Sequence, residues 1–69
     1  MNSDGLTAEE CAQRAAELLA VYRAKRDEAK RTNRRDPEKQ RLVEEAHRIA
    51  LEIEAWMKEY RRKLKERVT

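Results

Sequence analysis

Glycine, proline and cysteine occur once each in this chain of 69 residues, phenylalanine is missing, and aromatic residues make up only 4% of it. So little Gly and Pro cannot serve the many turns of a β protein, and 45% charged with 39% apolar residues is the bias of long helices or coiled coils. The single cysteine, Cys11, has no intramolecular partner, so no disulfide and no oxidising compartment is implied. No apolar run approaches the roughly 18 residues of a membrane span, and Met1-Asn2-Ser3-Asp4 carries neither the charged nor the apolar region of a signal peptide. These absences lead us to expect a soluble, cytoplasmic, all-α protein that does not engage membranes. Disorder, the rival reading of so polar a chain, is set aside because the apolar residues recur at a regular period.

The little punctuation present stands at two places. Gly5 interrupts a short polar lead, residues 1–6, which is expected to fray. After it, Thr7-Ala8-Glu9-Glu10 fits a capping box, in which a hydroxyl accepts from the third helical N–H and the Glu reaches back, while Leu6 and Cys11 are spaced as a hydrophobic staple. The second place is Thr32-Asn33-Arg34-Arg35-Asp36-Pro37-Glu38. Asn33 can take the left-handed conformation that ends a helix, and Asp36 before Pro37 joins an N-cap residue to the favoured first helical residue. The spacing predicts a first helix over about 7–33, starting near Ala8, a turn at 33–36 and a second helix over about 37–67. The result is an antiparallel two-helix hairpin forming a single domain.

Both helices carry an apolar stripe of 3.6-residue period. On the first it runs through Ala8, Cys11, Ala12, Ala15, Leu18, Leu19 and Tyr22, then Lys25, Arg26 and Ala29. On the second it runs through Leu42, Val43, Ala46, Ile49, Ala50, Ile53, Trp56, Met57, Tyr60 and Leu64. Folding about the turn sets Trp56 and Tyr60 beside Ala15, Cys11 and Ala12, large against small, as interdigitated packing requires. Near the turn, Leu42 and Val43 face Lys25, Arg26 and Ala29, with only aliphatic stems to cover them, so the hairpin is expected to be thin there.

Leu19, Val43, Met57 and Leu64 widen the stripes beyond what one seam can bury. A chain this short seldom buries enough surface to outweigh its own entropy. Self-association into a C2 dimer, forming a four-helix bundle, is therefore expected. The oligomer interface would be carried by Leu18, Leu19, Tyr22, Val43, Ile49, Ile53, Trp56, Met57, Tyr60 and Leu64. Val21 and Leu51 lie off the stripes at similar heights, either as scattered surface residues or as a second surface for a partner helix.

Charge is distributed in blocks. Residues 1–20 hold one Arg against four Asp/Glu, whereas residues 21–41 hold nine Lys/Arg against four Asp/Glu. Acids at helix starts and bases at helix ends complement the helix dipoles, and Glu10 with Arg14, Asp27 with Arg31, Glu44 with Arg48 and Glu54 with Lys58 stand at i, i+4. The excess around the turn, Arg26, Lys30, Arg31, Arg34, Arg35, Lys39 and Arg41, could contact the phosphates of nucleic acid or another anion. Interleaved acids dilute that field, and Tyr22, Trp56 and Tyr60 all fall on the stripes, leaving no aromatic platform for bases. Asn33 and Arg41 match the spacing of a basic-zipper contact helix, but Pro37 lies between them. In an antiparallel dimer the same cations would meet the acidic N-terminal segment of the partner.

Nothing in the chain has the spacing of catalytic chemistry. There is no Ser/His/Asp arrangement and no phosphate-cradling Gly loop. Cys11 reads as a small buried hydrophobe and His47 as a surface residue. Folded about the turn, Cys11 is level with about residue 59, roughly twelve residues or about 18 Å along the second helix from His47 at 1.5 Å per residue, too far for a joint metal site. No catalytic, cofactor-binding or metal-binding residue is assigned.

The hairpin plan resembles the Rop-type helical hairpin, which pairs into a four-helix bundle and binds RNA. In size and in its Arg-rich second helix the chain also resembles the small hairpin protein of the large ribosomal subunit, which binds ribosomal RNA. No residue motif is shared with either family, so neither function carries over. Strong caps and many i, i+4 pairs also fit a designed bundle, although Cys11, His47 and Met57 are not a designer's first choices. The expected function is a non-enzymatic homodimerisation or protein-interaction module, or bundle scaffold. The alternative is a small RNA- or DNA-binding hairpin that uses the basic turn.

Overall fold

The computed structural model describes residues 5–68, the Val68 side chain excepted; residues 1–4 of the polar lead lie outside the described part. Two helices, α1 (Ala8–Arg31) and α2 (Pro37–Val68), pack against each other as an antiparallel hairpin. No strand occurs among the described residues. The body measures 52 × 16 × 15 Å, and its radius of gyration of 15.1 Å exceeds the roughly 11 Å of a compact chain this long. It is a rod.

Each helix begins where side chains replace missing backbone partners. The Glu10 N–H donates to Thr7 Oγ1 at 3.1 Å and the Thr7 N–H donates to Glu10 Oε1 at 3.3 Å, closing the capping box. Gly5, just upstream, has φ +86°, a conformation that L side chains rarely adopt. At α2 the Glu38 N–H donates to Asp36 Oδ1 at 2.9 Å, so Asp36 caps the helix that Pro37 opens.

The end of α1 departs from the sequence-based expectation. The helix stops at Arg31, and Asn33 does not take the left-handed conformation, since no described residue other than glycine has positive φ. Thr32 ends the helix instead, in extended conformation at φ −86° and ψ 140°. Its N–H donates to the Ala29 carbonyl at 3.2 Å and its hydroxyl to the Glu28 carbonyl at 2.8 Å. Asn33 works differently: its carbonyl accepts from the Asp36 N–H at 3.0 Å and its side-chain oxygen from the Arg35 N–H at 3.2 Å, bending the chain as an Asx turn. A hydroxyl beside the last carbonyls offered a stop that needs no strained backbone.

The seam between the helices alternates spacings of three and four. On α1 and its C-cap it comprises Ala8, Cys11, Ala15, Leu18, Tyr22, Lys25, Ala29 and Thr32, and on α2 Lys39, Leu42, Ala46, Ile49, Ile53, Trp56, Tyr60 and Lys63, every one buried or half-buried. This is a heptad seam. Its register follows from two cross-helix contacts near the turn, Lys25 Nζ to Glu45 Oε2 at 2.7 Å and Lys39 Nζ to the Thr32 carbonyl at 3.5 Å. That register sets Trp56 opposite Ala15 and Tyr60 opposite Cys11, which is fully buried. The fully covered residues are nearly all small: Ala8, Cys11, Ala15, Ala29 and Ala46, with Leu42 the one large exception.

Leu42 corrects the expectation of a thin tip, since it is only 3% exposed. Ala29 and Ala46 are buried in the seam there as well, and the Lys25 stem crosses the seam to reach Glu45. Arg26 is not an inward residue: it is exposed on the flank, with its guanidinium 5.6 Å from the Tyr22 ring centre and Nη1 donating to the Tyr22 hydroxyl at 2.9 Å.

A candidate interaction face on one flank of the hairpin

Seven-residue recurrence along α2 separates two flanks of the seam. On one side stand Glu38, Glu45, Glu52, Glu59 and Glu66, and on the other Val43, Ala50, Met57 and Leu64. A heptad fixes this division, because residues following the seam and residues preceding it project to opposite sides. Helix α1 adds Ala12, Leu19 and Arg26 to the apolar flank, and Arg14, Val21 and Glu28 to the acidic one.

The acidic flank is partnered within the chain. Glu45 pairs with Lys25, Glu38 with Arg41 at 3.4 Å, and Glu59 and Glu66 share Arg62, each at 2.6 Å. The hydrogen bond from Lys25 holds the Glu45 carboxyl below its ordinary pKa and raises that of the Lys25 ammonium. The hydrogen bonds that Arg62 donates to Glu59, with the Glu59 and Glu66 carboxylates nearby, likewise raise the pKa of the Arg62 guanidinium. Glu52 lines a shallow groove with Arg14, Leu18, Val21 and Trp56. At the open end of the hairpin, Arg67 clamps Glu9 with two hydrogen bonds of 2.7 and 2.9 Å, which lower the Glu9 pKa to about 2.

The apolar flank has no such internal cover. Leu19 is 37% exposed and Val43 52%, while Ala12, Ala50, Met57 and Leu64 are half-buried. Between the helices on this side, toward the turn, lies a cleft of about 340 Å³, with Ala29, Val43, Ala46 and Ala50 in its walls and Arg26, Lys30, Lys39 and His47 contributing basic groups. The ten residues expected to carry an interface therefore divide in two. Leu18, Tyr22, Ile49, Ile53, Trp56 and Tyr60 are half-buried in the seam, whereas Leu19, Val43, Met57 and Leu64 stand together on the apolar flank. Ala12 and Ala50 belong to that flank as well, although alanines carry little weight in a stripe read by side-chain size.

Other expected features fall apart or move. Among the described residues, none of Glu10 with Arg14, Asp27 with Arg31, Glu44 with Arg48 or Glu54 with Lys58 forms an ion pair. Such exposed pairs gain only a few tenths of a kcal/mol, so competing partners displace them easily; Glu44 accepts from Gln40 at 3.3 Å instead. Val21 is 45% exposed in the acidic-side groove, and Leu51, 53% exposed, lies on the outer surface of α2, so they do not share a groove.

Of the tip cations, Arg41 pairs with Glu38 and Lys39 is tied to Thr32, while Lys30, Arg31, Arg34 and Arg35 have no carboxylate partner among the described residues. No cluster of His, Cys, Asp or Glu fit to hold a metal ion occurs among the described residues, and no helix there is long and apolar enough to cross a membrane. No family model matches the chain, and neither does any curated protein or solved structure.

Proposed function

We propose that this hairpin is a non-enzymatic association module whose apolar flank is covered by another helical surface, a homodimer closing a four-helix bundle. The observation that carries the reading is the asymmetry of the flanks. Four of the five Glu in one row of α2 are engaged in ion pairs, while across the seam Val43 and Leu19 stand exposed beside Ala50, Met57 and Leu64, which the hairpin covers only in part. Surface area supports the same reading: the chain exposes 5645 Å², against about 4,500 Å² for a compact monomer of its 8.2 kDa mass. Ile49 and Ile53 in the seam are only half-buried by the hairpin itself, as expected of side chains that a further layer would cover. Sedimentation equilibrium at micromolar concentration tests the proposal, with about twice the chain mass expected and loss of association when Leu19 and Met57 are both changed to Glu.

A second reading has its own support. Lys30, Arg31, Arg34 and Arg35 form an exposed cluster free of carboxylate partners, the kind of surface that gathers phosphates. On that reading, an RNA or DNA oligonucleotide binds with a steep salt dependence that Arg34→Ala with Arg35→Ala removes. Binding that is absent at low salt eliminates it.

A further inference from the structure

The uncovered flank has a direction, and direction constrains its occupant. Residues 21–49, the half of the rod bearing the turn, hold ten Lys/Arg against six Asp/Glu, whereas the described remainder, 5–20 and 50–68, holds seven of each. One half is therefore cationic and the other neutral. Shape is polarised the same way. Toward the turn the flank is a cleft walled by Ala29, Ala46 and Ala50, and toward the open end it carries the bulky Met57 and Leu64.

We propose that the occupant of this flank is a second copy of the chain docked tip to open end, with the dyad near the middle of the row from Val43 to Leu64. The inference rests on the association reading above and specifies its partner and polarity. Turned this way, the large residues of each open half meet the cleft of the other copy, and each cationic half meets a neutral one. Docked tip to tip, cleft would face cleft and the two cationic halves would lie side by side, a juxtaposition that opposes association. The dimensions suit a second copy: a 52 × 16 Å face projects about 830 Å², close to the roughly 800 Å² each partner contributes to a stable interface. The isologous contact also closes on itself, so this flank is used up and does not propagate a fibre.

A pulsed electron–electron distance measurement on the full chain tests this. A nitroxide is attached to Arg34→Cys, an exposed tip position whose side chain makes no hydrogen bond, and separately to Arg35→Cys. Cys11 is fully buried, so the unsubstituted chain supplies the labelling blank, and helical circular dichroism with mass on the same samples verifies fold and assembly. Tip-to-open-end docking places the two labels about 50 Å apart, from a rise of 1.5 Å per residue on each side of the dyad. A dimeric mass with labels within about 20 Å, the spacing of adjacent helix layers plus the label arms, overturns the polarity while leaving the association reading intact. A monomeric mass with no dipolar coupling overturns both.

Discussion

The two flanks of this hairpin flank the same seam and differ in how their side chains are partnered. On the acidic side, Glu38, Glu45, Glu59 and Glu66 find Arg or Lys within 3.4 Å inside the chain, so most of this row is partnered without a further surface. Across the seam, Val43 and Leu19 lie substantially exposed beside half-buried Ala50, Met57 and Leu64. Charged side chains are long enough to satisfy one another along and across two helices, whereas apolar side chains lose water only when a further surface arrives. A two-helix rod can thus finish a charged flank by itself but not an apolar one.

The comparison breaks first, and most visibly, if its two sides respond alike to charge. Leu19→Glu with Met57→Glu should raise the dimer dissociation constant about 100-fold or more, because two carboxylates would be desolvated without partners. Val21→Glu on the opposite flank should leave the mass unchanged. Next in size is a change in the seam that both flanks share. Leu42→Ala should cost about 2–4 kcal/mol in urea unfolding, while Leu51→Ala, on the outer surface of α2, should stay within about 0.5 kcal/mol. Equal losses at the two sites would mean that the tip is not closed as described.

Smaller again is the cap. Thr7→Ala removes the hydroxyl that accepts from the Glu10 N–H and should cost about 1 kcal/mol.

The smallest effect sharpens the contrast between paired and unpaired charge. The Glu9 pKa is depressed from an ordinary 4.5 to about 2, chiefly by its hydrogen bonds from Arg67. Its contribution to stability is therefore fully present above pH 4.5 and lost as pH falls through about 2. An NMR titration should find the Glu9 midpoint near 2 and return it toward 4.5 in Arg67→Ala; no movement would show that Arg67 does not set it.

Much of this architecture was legible in the sequence. Thr7 to Glu10 and Asp36 to Pro37 specify helix starts by local hydrogen bonding, and local rules suffice for local features. The failures lie where several local solutions compete. Asn33 was a plausible left-handed stop, but the Thr32 hydroxyl and carbonyl contacts supply another one residue earlier. Of the expected i, i+4 pairs, Glu10 turns back to the Thr7 N–H and Glu44 accepts from Gln40, and nothing in the structure explains why the other two stay apart; a cross-helix pair such as Lys25 with Glu45 is not visible to a count along one helix.

The candidate face was half visible. Leu19, Val43, Met57 and Leu64 stood out as excess width on a 3.6-residue stripe, yet that period merges seam and flank. The seven-residue recurrence of Glu38, Glu45, Glu52, Glu59 and Glu66 against Val43, Ala50, Met57 and Leu64 was the signal that divides them.

The central claim, that the apolar flank is an association surface, is tested most directly by the mass of the unmodified chain in solution at tens of micromolar. A mass of about 16 kDa, twice the 8.2 kDa of one chain, is the result expected. A mass of 8.2 kDa with the full helical circular dichroism of both helices would contradict it, since the hairpin would then stand alone with its flank in water.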